Sequence, residues 1–216
     1  MIQSASAPMG ARELLSRAPV LPVLAIARLE DAVPLASTLV EAGLPVLEVT
    51  LRSPVSLEAI RAIRADVPDV IVGAGTVLGA KDLDAVQAAG AAFAISPGAT
   101  EALYAHAGTA SIPFIPAVAT ASELMRGMEY GHDCFKFFPA EAAGGTATLR
   151  AWSGPFADIA FCPTGGIDAD SAPDYLALPN VLTVGGSWMV PADALAAGDW
   201  DRISALARAC MALRPR

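Results

Sequence analysis

One pattern limits the fold of this chain more than any other: a short apolar run followed by a segment of helical length, repeated along nearly the whole sequence. The runs are VLPVLAI, VLEVTL, VIVGAGT, AFAISPG, FIPAVAT, CFKFFPA, IAFCPTGG and VLTVGGS, and alanine- and leucine-rich stretches such as DAVPLASTLVEAG and ASELMRGMEYG lie between them. Strands that alternate with helices predict a parallel sheet, because a chain returns to a parallel neighbour only through a crossover. Eight such units in 216 residues predict an α/β fold of the closed (β/α)8 TIM barrel type, and an open doubly wound sheet is the other arrangement the pattern allows. Residues 1–18 precede the first strand, and ARELLSRA among them reads as a short N-terminal helix against the barrel's N-terminal mouth.

Strands of a parallel barrel are buried on both faces, which accounts for a composition 54% hydrophobic and only 17% charged. That content predicts one large core and a single domain over residues 1–216, with no linker to divide it. A formal charge of -8 speaks against nucleic acid as a partner, since a polyanion needs a basic face. No unbroken apolar run reaches membrane-spanning length, and MIQSASAPMGARELL lacks the features of a signal peptide, so a cytoplasmic protein without a membrane partner is expected. Cys134, Cys162 and Cys210 form no CxxC pair and read as small buried hydrophobes. His106 and His132 are the imidazoles of the chain, too few for a three-histidine metal site; neither metal nor cofactor is expected.

Polar residues gather at the C-terminal ends of the runs: Glu48, Thr50, Arg52, Thr76, Ser96, Thr120, Lys136, Thr164 and Ser187. In a barrel those ends open on one face, where active sites of this fold are built. Each residue taken singly has a plainer reading as a solvated loop residue or a helix cap. Glu48 resists that reading, because an unpaired carboxylate among apolar neighbours costs several kcal/mol. Its nearest candidate partner along the sequence is Arg52.

Lys136 stands in GHDCFKFFPAE, between phenylalanines, in a chain whose only other lysine is Lys81. Side chains alternate along a strand, so if Lys136 points inward then Phe135 and Phe137 pack outward against helices. Lysine, unlike arginine, can give up its proton when desolvated and act as a nucleophile. The plainer alternative is a stem packed on phenylalanine with its head in water.

Glycines form a further set. PTGGI (163–167) and GGS (185–187) end the seventh and eighth runs, where barrels of this kind frequently bind a phosphate through backbone N–H groups. Tight turns are the competing explanation. GAGT (73–76) ends the third run and reads as room left for a ligand; its spacing is not that of a dinucleotide fingerprint.

Together LEVTLR, VGAGTV, FAISPG, FKFFPAE, FCPTGGI and GGSW resemble the bacterial 2-keto-3-deoxy-6-phosphogluconate (KDPG) aldolase / 4-hydroxy-2-oxoglutarate (KHG) aldolase family, from about Pro19 to the last helix. The resemblance implies a homotrimeric class I aldolase of the Entner–Doudoroff pathway, which splits a phosphorylated keto-deoxy sugar acid into pyruvate and D-glyceraldehyde 3-phosphate. It implies that Lys136 forms the Schiff base and that Glu48 transfers protons. Arg52, Thr76 and Thr164 would hold the pyruvate carboxylate beside Lys136, with Pro97 and Phe138 in the pocket wall. Gly165, Gly166, Gly185, Gly186 and Ser187 would take the phosphate. Ala117 stands where the family pattern has glycine. The galactonate-derived epimer is an alternative substrate within the same class. A barrel isomerase of a phosphorylated metabolite would share the glycine turns but need no imine, and a silent phosphate-binding protein would have no reason to bury ionisable groups in strands.

Overall fold

The computed structural model describes residues 9–213. Nine strands run β1 Val20–Leu24, β2 Val46–Thr50, β3 Ile71–Gly75, β4 Ala94–Ile95, β5 Phe114–Ile115, β6 Ala117–Val118, β7 Cys134–Phe137, β8 Ala160–Pro163 and β9 Val184–Gly186. The helices are α1 Ala11–Leu15, α2 Ala32–Glu41, α3 Ser56–Asp66, α4 Ala80–Ala88, α5 Glu101–Ala107, α6 Ala121–Glu129, α7 Gly145–Trp152, α8 Ala172–Leu176, α9 Ala192–Ala197 and α10 Trp200–Met211. Every pairing between strands is parallel, in the orders β5-β4-β3-β2-β1-β9 and β6-β7-β8. The chain is therefore an α/β protein on parallel sheets.

Each of the eight apolar runs contains strand, but not as the one continuous eight-stranded ladder the sequence led us to expect. The fifth run is divided at Pro116, which has no N–H to give to a ladder. The half before it pairs with β4 and the half after it with β7. At the other side, isolated parallel bridges join Phe161 to Val181 and Thr164 to Gly185.

The period-two alternation sorts the strand residues into two apolar layers. Leu21, Val46, Phe93, Ile95, Ile115, Cys134, Ala160 and Cys162 form one cluster on the inner face of the sheets, joined by Leu14 and Leu15 of α1. Those two leucines sit with Val20, Leu21, Val46 and Thr183, near the N-terminal ends of β1, β2 and β9. On the outer face Leu47, Val49, Phe135, Phe137 and Phe161 pack with helix residues such as Leu35, Leu39, Ile60 and Leu149. Phe137 meets Trp152 of α7 edge to face at 5.4 Å, and Gly127 of α6 leaves room for the Phe135 ring. Each large side chain so buried stabilises the fold by about 1.5–3 kcal/mol. Two such layers offset what it costs to hold an ion pair on the inner face.

Some of the polar strand ends belong to the scaffold. Thr120 caps α6 in a capping box with Glu123, whose carboxylate accepts from the Ala119 and Thr120 amides at 2.8 and 2.9 Å. Ser96 is fully buried; its backbone N–H donates to Ile115 O at 3.3 Å, while its Oγ has no hydrogen-bond partner among the described residues.

Candidate active site

Two ionisable side chains meet on the inner face. Lys136 of β7 and Glu48 of β2 are 6% and 1% exposed, and the lysine Nζ lies 3.0 Å from Glu48 Oε1 and 3.3 Å from Oε2. Their strands belong to different sheets, so the pair spans the space between them. Alternation puts both there. Phe135 and Phe137 go to the outer layer, and Lys136, in register with Ala117 on one side and Cys162 on the other, goes inward. Val46 precedes Glu48 on the same face. The ring of Phe138, half-buried, has its centroid 5.5 Å from Lys136 Nζ.

The partner expected for Glu48 was Arg52, and the structure corrects this. Arg52 lies beyond the end of β2, where its Nε donates to Thr50 Oγ1 at 3.0 Å. Thr50 in turn donates to Leu24 O at 2.8 Å, so a buried threonine fixes the arginine near the ends of β1 and β2. Thr50 had been noticed only as a polar strand end; the signal for its part here is its place two residues before Arg52. Arg52 and Ser187 line one hollow of about 210 Å³ with Val23, Leu24, Val190 and Leu195. A larger hollow of about 510 Å³ opens at the opposite end beside Met9, Leu14 and Ile71, and among the described residues that line it Arg64 alone is ionisable and none is suited to imine or acid–base chemistry.

The glycines divide by cause. At Gly75 a Cβ would collide with Glu48 Oε1, and at Gly73 it would lie 2.5 Å from the Phe93 ring. The room that GAGT seemed to leave for a ligand is thus occupied by the chain's own carboxylate and by phenylalanine. A Cβ at Gly185 would strike Thr164 Oγ1, and one at Gly186 the Trp188 ring; both glycines are buried. Gly165 and Gly166 instead have φ of 104° and 81°, a turn that favours glycine. Thr76 adopts a φ of 62° without being glycine, a strained state that clusters at functional positions. Thr164 is buried with Oγ1 3.4 Å from Cys162 O, Ser187 is exposed, and Pro97 is exposed beyond β4.

Burial pushes the thiols of Cys134 and Cys162 up to about 12 and that of Cys210 up to about 11, so all three are neutral at ordinary pH. The cysteine beside Lys136 is no competing nucleophile. Among the described residues no cluster of three or more His, Cys, Asp or Glu could hold a metal ion, and no helix is long and apolar enough to cross a membrane.

Fold and site together define an α/β protein carrying an amine–carboxylate pair suited to covalent chemistry on a carbonyl. The family model described as KDPG and KHG aldolase matches residues 11–206, and the chain belongs to that family. It is 58% identical over 202 residues to the 2-dehydro-3-deoxy-phosphogluconate aldolase of Dickeya dadantii, covering 94% of this chain and 95% of that one. It is 57% identical to the KHG/KDPG aldolase of Escherichia coli strain K12, over 92% of this chain and 93% of the relative. Among solved structures, the KDPG aldolase of Legionella pneumophila, with pyruvate captured as a covalent carbinolamine, superposes with a TM-score of 0.90 at 48% identity, covering 94% and 98% of the two chains.

Proposed function

We propose that this chain is a class I aldolase that cleaves 2-dehydro-3-deoxy-6-phospho-D-gluconate to pyruvate and D-glyceraldehyde 3-phosphate, and also 4-hydroxy-2-oxoglutarate to pyruvate and glyoxylate. The buried contact between Lys136 and Glu48 carries the proposal. An amine attacks a ketone only when neutral, and at 3.0 Å the ammonium has a carboxylate along its own hydrogen bond to take the proton. The carbinolamine in the Legionella pneumophila enzyme supports amine attack on pyruvate in a close relative.

The steps follow from that pair. Lys136 Nζ adds to the C2 carbonyl, and Glu48 returns its proton to the C2 oxygen so that water leaves and a protonated imine remains. Glu48, through a water, removes the C4 hydroxyl proton, and the C3–C4 bond breaks with its electrons passing into the imine. Glyceraldehyde 3-phosphate departs, C3 of the enamine is protonated, and water hydrolyses the pyruvate imine to regenerate the amine. Arg52, with Thr76 and Thr164, holds the carboxylate, and Phe138 and Pro97 wall the pocket. Gly165, Gly166 and Ser187 take the phosphate, with Gly185 and Gly186 setting the backbone close beneath. Because Arg52 shares its hollow with Ser187, it also supplies positive charge toward the phosphate side.

The wider proposal keeps a single domain whose two sheets complete a (β/α)8 barrel, acting in the cytoplasm as a homotrimer. Met125, Met128 and Tyr130 of the α6 region are large apolar residues exposed in one chain, which supports assembly. An isomerase of a phosphorylated metabolite would share the glycine turns but form no imine on Lys136. The deciding experiment is reduction with borohydride in the presence of pyruvate: a stable added mass on the peptide containing Lys136 is expected, and its absence overturns the reading.

A further inference from the structure

The segment that carries Lys136 continues past β7 into FPAE, and its last residue has no part in the chemistry above. Ala140 N donates to Thr164 O at 2.8 Å and Glu141 N to Gly165 O at 3.1 Å, so this loop is stitched to the turn that follows β8. The turn is also packed closely against this loop. A Cβ at Gly165 would lie 3.3 Å from the Phe138 ring and from Pro139 Cα, and one at Gly166 only 2.6 Å from Glu141 Cγ. The Glu141 carboxylate is then tied to a third element: the Tyr175 hydroxyl of α8 donates to its Oε1 at 2.5 Å. Tyr175 is 1% exposed, so its ring is fixed, and its hydroxyl meets the exposed Glu141 at the edge of a hollow of about 410 Å³ that both residues line. At the start of α7, Gly145 leaves the space in which Tyr175 and Glu141 meet, since a Cβ there would lie 3.1 Å from the tyrosine oxygen.

We infer that Glu141 and Tyr175 are a positioning pair that holds the Gly165–Gly166 turn in one conformation and so sets the preference for phosphorylated over carboxylate-ended substrates, without touching substrate. This deepens the proposed function and rests on it. Two adjacent glycines have wide conformational freedom, and an anion site made of backbone N–H groups is strong only if their directions are set before binding. The stem of Glu141 under Gly166 supplies that order. Its carboxylate, if free to swing toward the turn, would oppose an anion there; the tyrosine ties it to α8 instead. Burial and the neighbouring carboxylate both push the tyrosine's pKa above its ordinary value, so the donor stays protonated throughout the working range.

The test compares Tyr175→Phe and Glu141→Gln with the wild-type chain on both substrates, with inorganic phosphate as an inhibitor and thermal unfolding alongside. For Tyr175→Phe, KM for the phosphorylated substrate should rise about three- to tenfold, the range expected for one lost hydrogen bond, with inhibition by phosphate weakened in parallel. Its kcat on that substrate, and both constants for 4-hydroxy-2-oxoglutarate, should stay at wild-type values. Glu141→Gln keeps an acceptor for the tyrosine and should stay within about twofold of wild type on the phosphorylated substrate. Equal changes on both substrates, or none on either, overturn the inference. If Tyr175→Phe does not fold, Glu141→Ala is read by the same KM ratio. A wild-type chain that traps no pyruvate on Lys136 overturns the functional reading and this inference together; trapping with unaltered KM ratios overturns the inference alone.

Discussion

Lys136 Nζ lies 3.0 Å from Glu48 Oε1, across 88 residues of chain and between two different sheets. Neither side chain has more than a trace of solvent contact, so each is the other's compensation for lost hydration.

Removing the amine should therefore cost stability as well as activity. Lys136→Met leaves a buried carboxylate without its partner, which should destabilise the protein by about 3–5 kcal/mol. Pairing it with Glu48→Gln should recover most of that loss in denaturant unfolding. Activity should fall at least about 10⁴-fold in both variants, as expected when a covalent nucleophile is lost.

Glu48→Gln alone keeps the lysine and loses the proton acceptor. A drop in kcat of about 10²–10⁴-fold is expected, the usual contribution of a positioned acid–base group. Pyruvate should still be captured on Lys136 by borohydride, only more slowly. Capture at the wild-type rate would show that Glu48 does not move the proton during imine formation.

Gly75→Ala tests the floor of the site. The new methyl would meet Glu48 Oε1, so the carboxylate must shift away from Lys136. Overpacking of this sort costs about 1–3 kcal/mol of stability. A larger fall in kcat than in thermal stability, measured beside Gly10→Ala, where a Cβ meets nothing, is the expected outcome.

The arginine's tether can be examined through Thr50. Thr50→Val removes the acceptor for Arg52 Nε and should raise KM about three- to tenfold for both substrates, with a smaller change in kcat. Thr50→Ser should restore it. This even-handed effect contrasts with the phosphate-selective one expected at Tyr175.

The cysteines set a pH dependence. Their thiols are held neutral in the fold up to about 12 for Cys134 and Cys162, whereas an unfolded thiol ionises near 8.5. Their contribution to stability is thus complete below the unfolded value and is lost as pH rises through the folded one. Iodoacetamide at pH 8 should leave Cys162 unlabelled in the native protein and label it after denaturation.

Much of this molecule is legible in its sequence. Runs of β-branched residues alternating with helical segments specified parallel strands, and alternation put Phe135 and Phe137 on the face opposite Lys136 without saying which face is inward. Pro116, also visible in the sequence, divides the fifth strand because it lacks an N–H, yet a pattern of hydrophobicity does not register a missing donor. GAGT misled for a related reason. A sequence shows that a side chain is absent, but not whether a ligand, a turn or another side chain takes the space; at Gly75 the space is taken by Glu48 and at Gly73 by Phe93.

What the sequence determined by itself were local quantities: strand and helix periods, which residues share a face, and the presence of a lysine and a glutamate that burial would make costly. Only the tertiary structure decided who meets whom. Arg52 was the near neighbour of Glu48 along the chain, but it lies past the strand end and bonds to Thr50, while Lys136 reaches Glu48 from another sheet. Glu141 and Tyr175, 34 residues apart, meet in the same way. Period and propensity act over a few residues, whereas pairing of buried charges is set by where whole strands lie when their apolar faces close on one another.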